Sequence, residues 1–264
     1  MKTAICVSGQ CRTLDRTYRN IIESLLERIG EYDLFFFTGE DGDSSKANLL
    51  SPTVLEVVPD TFIDEALFNR NIHSSLQNYL QQLTKLKRVN ELRRRYEREN
   101  NISYDWVVRL RPDSWFTRCE VDLPNLNSGF VHIPQWGGFG SRHQHGKGFN
   151  DRFAIGSGVL MNAYFNQLDY FREYSKVSSP PFTPEMITKA ALLSANISVS
   201  FIDVEFDLIR ANGLTPTDPG FQRSKFDFCR WEHAFLGNRR PILQSIMAEF
   251  SRLFYHLKTR LRIE

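Results

Sequence analysis

Apolar residues fall into two patterns along this chain: short unbroken runs, and longer stretches where they recur every three or four positions. Residues 3–8 form the first run and read as a buried strand. Over residues 15–29, Ile21, Ile22, Leu25, Leu26 and Ile29 share one face, which predicts a helix ended by Gly30. The next run, Asp33 to Thr38, is apolar at consecutive positions and so fits a strand buried on both faces, as in a parallel sheet. A polar loop over 39–45 separates it from a third strand, Thr53 to Val58, closed by Pro59. Ile72, Leu76, Tyr79, Leu80, Leu83, Leu86 and Val89 then predict a long amphipathic helix over 72–99. Its charged end, 93–99, reads as a solvated helix terminus, with cations near the C-terminal dipole, rather than as a nucleic-acid patch.

Further strands are expected at 104–111 and at Phe130 to Pro134, followed by a glycine-rich loop over 137–148. Residues 150–157 lead into a helical pattern over 158–174. Thr183 as N-cap and Pro184 at the first position open another helix. One or two strands lie in 197–210, and a last helix begins near 240. Early strand–helix alternation followed by freer strand pairing predicts an α/β fold. Its sheet would be mostly parallel but mixed and flanked by helices, with a Rossmann-like N-terminal half.

The length, 264 residues, accommodates one domain over 1–240 with an amphipathic helix appended at 241–264. A net charge of +2 argues against a dedicated nucleic-acid binder. No apolar run reaches the roughly 18–20 residues of a membrane span. The opening residues are too short an apolar stretch for a signal peptide before Gln10 and Arg12 intervene. Cys6, Cys11, Cys119 and Cys229 have no metal-finger spacing, which points to a reduced, cytoplasmic setting. In the tail, Ile246, Phe250, Leu253, Phe254, Leu257 and Leu261 form a stripe flanked by Arg252, Lys258, Arg260 and Arg262. Such a helix packs on its own domain or on a second subunit, or lies on an anionic membrane.

Four segments carry candidate chemistry. In Ser8, Gly9, Gln10, Cys11 and Arg12, glycine lets backbone approach a ligand and Arg12 suits a phosphate, although neither a P-loop nor a dinucleotide turn is present. Arg109, Arg111 and Asp113 follow the apolar run Trp106-Val107-Val108, and strand alternation puts both arginines on one face. Two guanidiniums beside one carboxylate suit a di-anionic ligand with a divalent cation on Asp113; the alternative is an internal Arg111–Asp113 ion pair. Asn150, Asp151 and Arg152 end the glycine-rich loop, which reads as a mobile cover for a ligand. Asp151 is a candidate metal ligand, sugar-hydroxyl acceptor or general base, or else a cap or partner of Arg152. His143 and His145 lack the remaining ligands of a zinc site. Glu185, in a first helical turn, is a candidate base if its pKa is raised. Asp203, Glu205 and Asp207 alternate along a strand and read as one solvated face.

Taken in order, Ala4 to Arg12, Tyr104 to Asp113 and Asn150 to Gly156 resemble the small bacterial and viral glycosyltransferase-like proteins of GT-A fold. Pro184-Glu185 and Phe206 to Arg210 match more weakly. The resemblance implies a nucleotide-sugar donor held at the carboxyl ends of the parallel strands, near Ser8 to Arg12. It also implies a glycan or lipid-linked acceptor and a place in cell-surface polysaccharide synthesis. Asp113 would fall in the family's Asp-x-Asp metal motif, with Mn²⁺ or Mg²⁺ as the expected cation. Arg111 stands where the first aspartate of that motif would be, so an arginine is positioned to stabilise the leaving diphosphate instead. Asp151 or Glu185 would take the acceptor proton in an inverting reaction. The missing aspartate also leaves open a non-catalytic module that binds nucleotide sugars without turnover.

Overall fold

The computed structural model describes residues 1–68, 75–134, 148–177 and 183–219. The glycine-rich loop (except Gly148), His143, His145 and the C-terminal helix of the sequence analysis lie outside these residues.

Seven strands form the main sheet in the order β3-β2-β1-β4-β7-β6-β8. They are β1 (Thr3–Ser8), β2 (Tyr32–Gly39), β3 (Val54–Val58), β4 (Trp106–Leu110), β6 (Val131–Pro134), β7 (Ala154–Gly156) and β8 (Val199–Ile202). Strands β3, β2, β1 and β4 run parallel; β7 runs against both β4 and β6; and β6 is parallel to β8. The fold is therefore α/β with a mostly parallel mixed sheet.

Strand alternation divides the core. Ala4, Cys6, Phe35, Phe37 and Val107 pack beneath helix α3 (Leu76–Asn100) together with Met161 and Tyr164 of α4 (Gly158–Phe165) and Ile187 of α6 (Pro184–Ser194). Ile5, Val7, Leu34, Phe36, Val108 and Leu110 face the other way, onto α1 (Leu14–Ile21), a following π-helical turn, Ile22–Leu26, and the short α2 (Glu27–Ile29). Phe35 and Phe36 are fully buried on opposite faces, and each such side chain contributes roughly 1.5–3 kcal/mol relative to exposure.

A second, two-stranded sheet pairs β5 (Ser114–Cys119) with β9 (Val204–Leu208). The sequence pattern does not announce β5, because its partner lies about 90 residues further on. Residues 197–210 thus form two strands, and these belong to different sheets. The small sheet is tied to α1: Asn20 Nδ2 donates to Phe116 O at 3.0 Å and its Oδ1 accepts from Phe116 N at 2.6 Å. Thr17 Oγ1 donates to Pro112 O at 2.6 Å, and Thr13 Oγ1 to Ile209 O at 3.2 Å. The predicted helix over 158–174 is interrupted at Asn166, which separates α4 from α5 (Gln167–Val177). Thr183 caps α6 as expected, its side chain accepting from Met186 N. Arg118 pairs with Asp203 at 2.5 Å and Glu205 at 2.7 Å, so that acidic face carries cross-strand ion pairs.

Candidate functional site

From β1 the chain passes through α1 to β2 on one side, and later through α3 to β4 on the other. The strand order thus reverses between β1 and β4, and such a switch point opens a crevice where open α/β sheets bind ligands. The segments after both strands are the first two candidates from the sequence. Gly9 has φ of +145°, and a Cβ there would stand 2.9 Å from Pro112 Cδ. Only glycine lets the β1 turn press this closely against the β4 turn. Ser8 is buried there, whereas Gln10 and Arg12 are exposed.

Arg109, the penultimate residue of β4, is 1% exposed. Its Nη2 donates to Ser8 O at 3.2 Å, its Nη1 donates to Leu110 O, and its Nε has no partner. Burial lowers its pKa to about 10. Arg111 lies beyond the end of β4 and forms a two-pronged ion pair with Asp113: Nε to Oδ1 and Nη2 to Oδ2, both 2.8 Å. Burial alone would raise the Asp113 pKa, but the facing guanidinium overrides it and holds the carboxyl below its ordinary value. For Arg111 the balance is the mirror image: burial would lower its pKa and Asp113 raises it. The strand therefore does not present the two arginines as an equivalent pair. One is sealed beneath α3 without a carboxylate; the other is partly exposed and neutralised. Arg210, exposed just after β9, adds a further cation within electrostatic reach of Asp113.

Because β7 runs antiparallel to β4, with Ala154 opposite Arg109, its start lies where β4 ends. That register brings Asn150, Asp151 and Arg152 to the same edge. Asn150 Oδ1 accepts from Arg152 N at 2.9 Å and Phe153 N at 3.1 Å, fixing the turn. Gly148 abuts the first turn of α6: an added Cβ would stand 2.4 Å from Glu185 Cβ, and Phe149 N donates to Glu185 O at 2.9 Å. Glu185 is thereby brought to Arg152, whose Nη2 donates to its Oε1 at 3.1 Å; Arg152 Nε stands 3.5 Å from Asp151 Oδ1. Burial, reinforced by the charge of Asp151 and opposed by Arg152, raises the Glu185 pKa to about 7. That value suits a group exchanging protons near neutral pH.

The sequence analysis missed Gln82, on the flank of the apolar stripe of α3. Its Nε2 donates to Asp151 Oδ2 at 3.0 Å and its Oε1 accepts from Arg111 Nη1 at 3.3 Å. Tyr79, one turn earlier, was read only as part of that stripe. Its hydroxyl is buried without a partner, and burial, aided by the charges of Asp151 and Glu185, raises its pKa well above normal. Tyr164 donates from its hydroxyl to Asn150 O at 3.4 Å. A glutamine beside an apolar stripe is a faint signal, since most such residues simply meet solvent. Ser8 Oγ, Arg109 Nε, Tyr79 OH and Asp151 Oδ1 are all buried without a hydrogen bond, Asp151 Oδ1 having only its ion-pair contact with Arg152. Buried polar groups are costly in that state, and these four are open to a polar ligand.

A divalent cation fits this donor set poorly. Both Asp113 oxygens accept from Arg111. Among the described residues no group of three or more His, Cys, Asp or Glu side chains is placed to hold a metal. The remaining lone pairs of one neutralised carboxylate make a weak anchor for Mg²⁺ or Mn²⁺. Among the described residues no helix is long and apolar enough to cross a membrane.

No curated protein matches the chain at a significant level. Residues 1–215 match a family described as a domain of unknown function, DUF7796, which includes every side chain of the site described above, and the chain belongs to that family.

Proposed function

We propose that this protein is a glycosyltransferase that moves a sugar from a nucleoside diphosphate to a glycan or lipid-linked acceptor. One observation carries the reading. At the β1/β4 switch point, Arg109 and Arg111 stand beside a pair of carboxylates, Asp151 and Glu185, one with its pKa raised to about 7. Cations beside polar atoms that lack partners suit a diphosphate, and a proton-exchanging carboxylate suits activation of a hydroxyl. The resemblance to GT-A proteins points the same way.

In this reading Arg109 and Arg111 bind the diphosphate and stabilise the charge that develops as it departs. Ser8, Gly9, Gln10 and Arg12 lie along the nucleotide, with Asn150 and Arg152 bordering the sugar. Asp151 or Glu185 receives the acceptor proton. No step is assigned to a metal. A cytoplasmic setting and a role in surface polysaccharide synthesis belong to the same proposal.

A thermal-shift screen across uridine, guanosine, thymidine and cytidine sugar nucleotides, followed by a sugar-release assay on every binder, tests it. A donor that raises the melting temperature with concentration and is turned over supports the proposal. Absence of both for every donor, with and without Mn²⁺, rejects it. A second reading, a module that binds without turnover, draws on the commitment of both Asp113 oxygens to Arg111. Saturable binding without sugar release would decide for the module.

A further inference from the structure

The hydrogen bonds at this edge run from Asp113 through Arg111 to Gln82 and on to Asp151, and Gln82 is the one neutral member. A guanidinium only donates and a carboxylate only accepts. These two neighbours therefore fix which way the Gln82 amide points, with Oε1 toward Arg111 and Nε2 toward Asp151. Glutamate at this position would repel Asp151, and lysine or arginine would repel Arg111. Methionine would fill the space and bond to neither.

The consequence is a separation of charge. Arg111 and Asp151 stand on opposite sides of one amide and do not pair directly. Arg111 remains on Asp113, from which a diphosphate can draw it. Asp151 has Oδ2 occupied by Gln82, while Oδ1 is buried without a hydrogen bond and has only the Arg152 Nε charge 3.5 Å away, in a residue only 6% exposed. Arg152 is shared with Glu185, whose Oε1 accepts a hydrogen bond from its Nη2 at 3.1 Å.

We propose that Gln82 is a positioning residue of the transfer site. By holding Arg111 Nη1 and Asp151 Oδ2 at once, it leaves Asp151 Oδ1 as the atom that accepts the proton. This rests on the glycosyltransferase reading and assigns the base within an inverting reaction. The acceptor O–H bond breaks and its proton passes to Asp151 Oδ1. The acceptor oxygen bonds to the anomeric carbon. The bond from that carbon to the diphosphate oxygen breaks, and its electron pair leaves with the diphosphate beside Arg109 and Arg111.

Two measurements on the full chain test the proposal separately from the reading it rests on. The first needs no substrate: the side-chain amide signal of Gln82, assigned by its loss in Gln82→Met. Asp151→Asn shifts that signal and Glu185→Gln leaves it in place. A signal indifferent to Asp151→Asn overturns the bridge. The second is turnover of the sugar nucleotide found by the screen. Gln82→Met lowers kcat by about 10- to 100-fold through misplacement of the base. KM stays within about twofold, because the lost interaction places the base rather than the donor. In Gln82→Glu the acid limb of the pH–rate profile moves to higher pH. Unchanged kcat in Gln82→Met, or a product that retains the donor's anomeric configuration, overturns the assignment. If the wild-type protein turns over no sugar nucleotide, the glycosyltransferase reading fails and so does the role of Gln82 in it. The amide signal still decides whether the bridge exists.

Discussion

Two arginines, Arg93 on α3 and Arg109 on the strand beneath it, are each only 1% exposed, yet they are built differently. Arg93 is enclosed by acceptors. Its Nη1 donates to both oxygens of Glu97 at 3.0 Å, its Nε and Nη2 to Asn90 Oδ1, and its Nη2 also to Asn162 Oδ1 at 2.8 Å. It joins α3 to α4 and has a carboxylate of its own. Arg109 has two backbone carbonyls, an unpartnered Nε and no carboxylate bonded to it. A buried charge that is fully paired serves the fold; one left short of acceptors is, under the proposed function, open to the donor's diphosphate. The contrast separates architecture from site more clearly than burial does, because burial is the same for both.

Replacing each arginine by methionine tests that contrast. Arg93→Met strands the part-buried Glu97 and should cost about 3–5 kcal/mol in urea unfolding. The surviving folded protein should still bind a nucleotide sugar. Arg109→Met should do the reverse. Donor affinity or turnover falls about 100-fold or more, while stability changes by less than about 1 kcal/mol. Equal stability losses in the two variants would erase the distinction.

Glu185 is an intermediate case, a buried carboxylate with one arginine and a like-charged neighbour. Its pKa is raised from 4.5 to about 7, so between those values the folded protein holds a proton that the unfolded chain has released. Stability therefore falls as pH rises through that window, by roughly 3 kcal/mol at most. Glu185→Gln should remove this slope, so that the variant gains on the wild type between pH 5 and pH 8 in denaturant titrations. A parallel pH dependence in both proteins would mean that Glu185 is not the titrating group. The smallest effect is expected at Asp113. If arginines supply the charge at the diphosphate, chelation of divalent metal should change donor affinity by less than about threefold, and Asp113→Asn should not alter that response. A Mn²⁺ requirement abolished by Asp113→Asn would restore the metal role.

Much of the frame is legible in local pattern. The runs at 3–8 and 33–38, the helical spacing over 76–99 and the Thr183-Pro184 start each reappear, the long helix starting at Leu76 behind its Ser75 cap, because burial on both faces, an apolar stripe and capping are properties of neighbouring residues. The candidate site was legible in part. Ser8, Gly9, Arg109, Arg111, Asp113, Asp151, Arg152 and Glu185 do meet at one sheet edge. Their division of labour was not legible. Alternation put Arg109 and Arg111 on one face, but β4 stops at Leu110, so one is sealed in the strand and the other turns back to Asp113. Strand β5 escaped notice because its pairing with β9 is long-range.

By itself, then, the sequence determined the α/β alternation, the strands and main helices up to β4, and which ionisable residues were available for chemistry. Tertiary structure alone decided which of them meet and in what electrostatic state. The antiparallel register of β7 brings Asp151 to Arg111, Gly148 seats Glu185 on Arg152, and Gln82 reaches in from a helix 69 residues before Asp151 in the chain. The physical reason is range. Periodicity and capping are set within a few residues, whereas the desolvation and charge pairing that give Arg109, Asp113 and Glu185 their properties depend on groups brought together from across the chain.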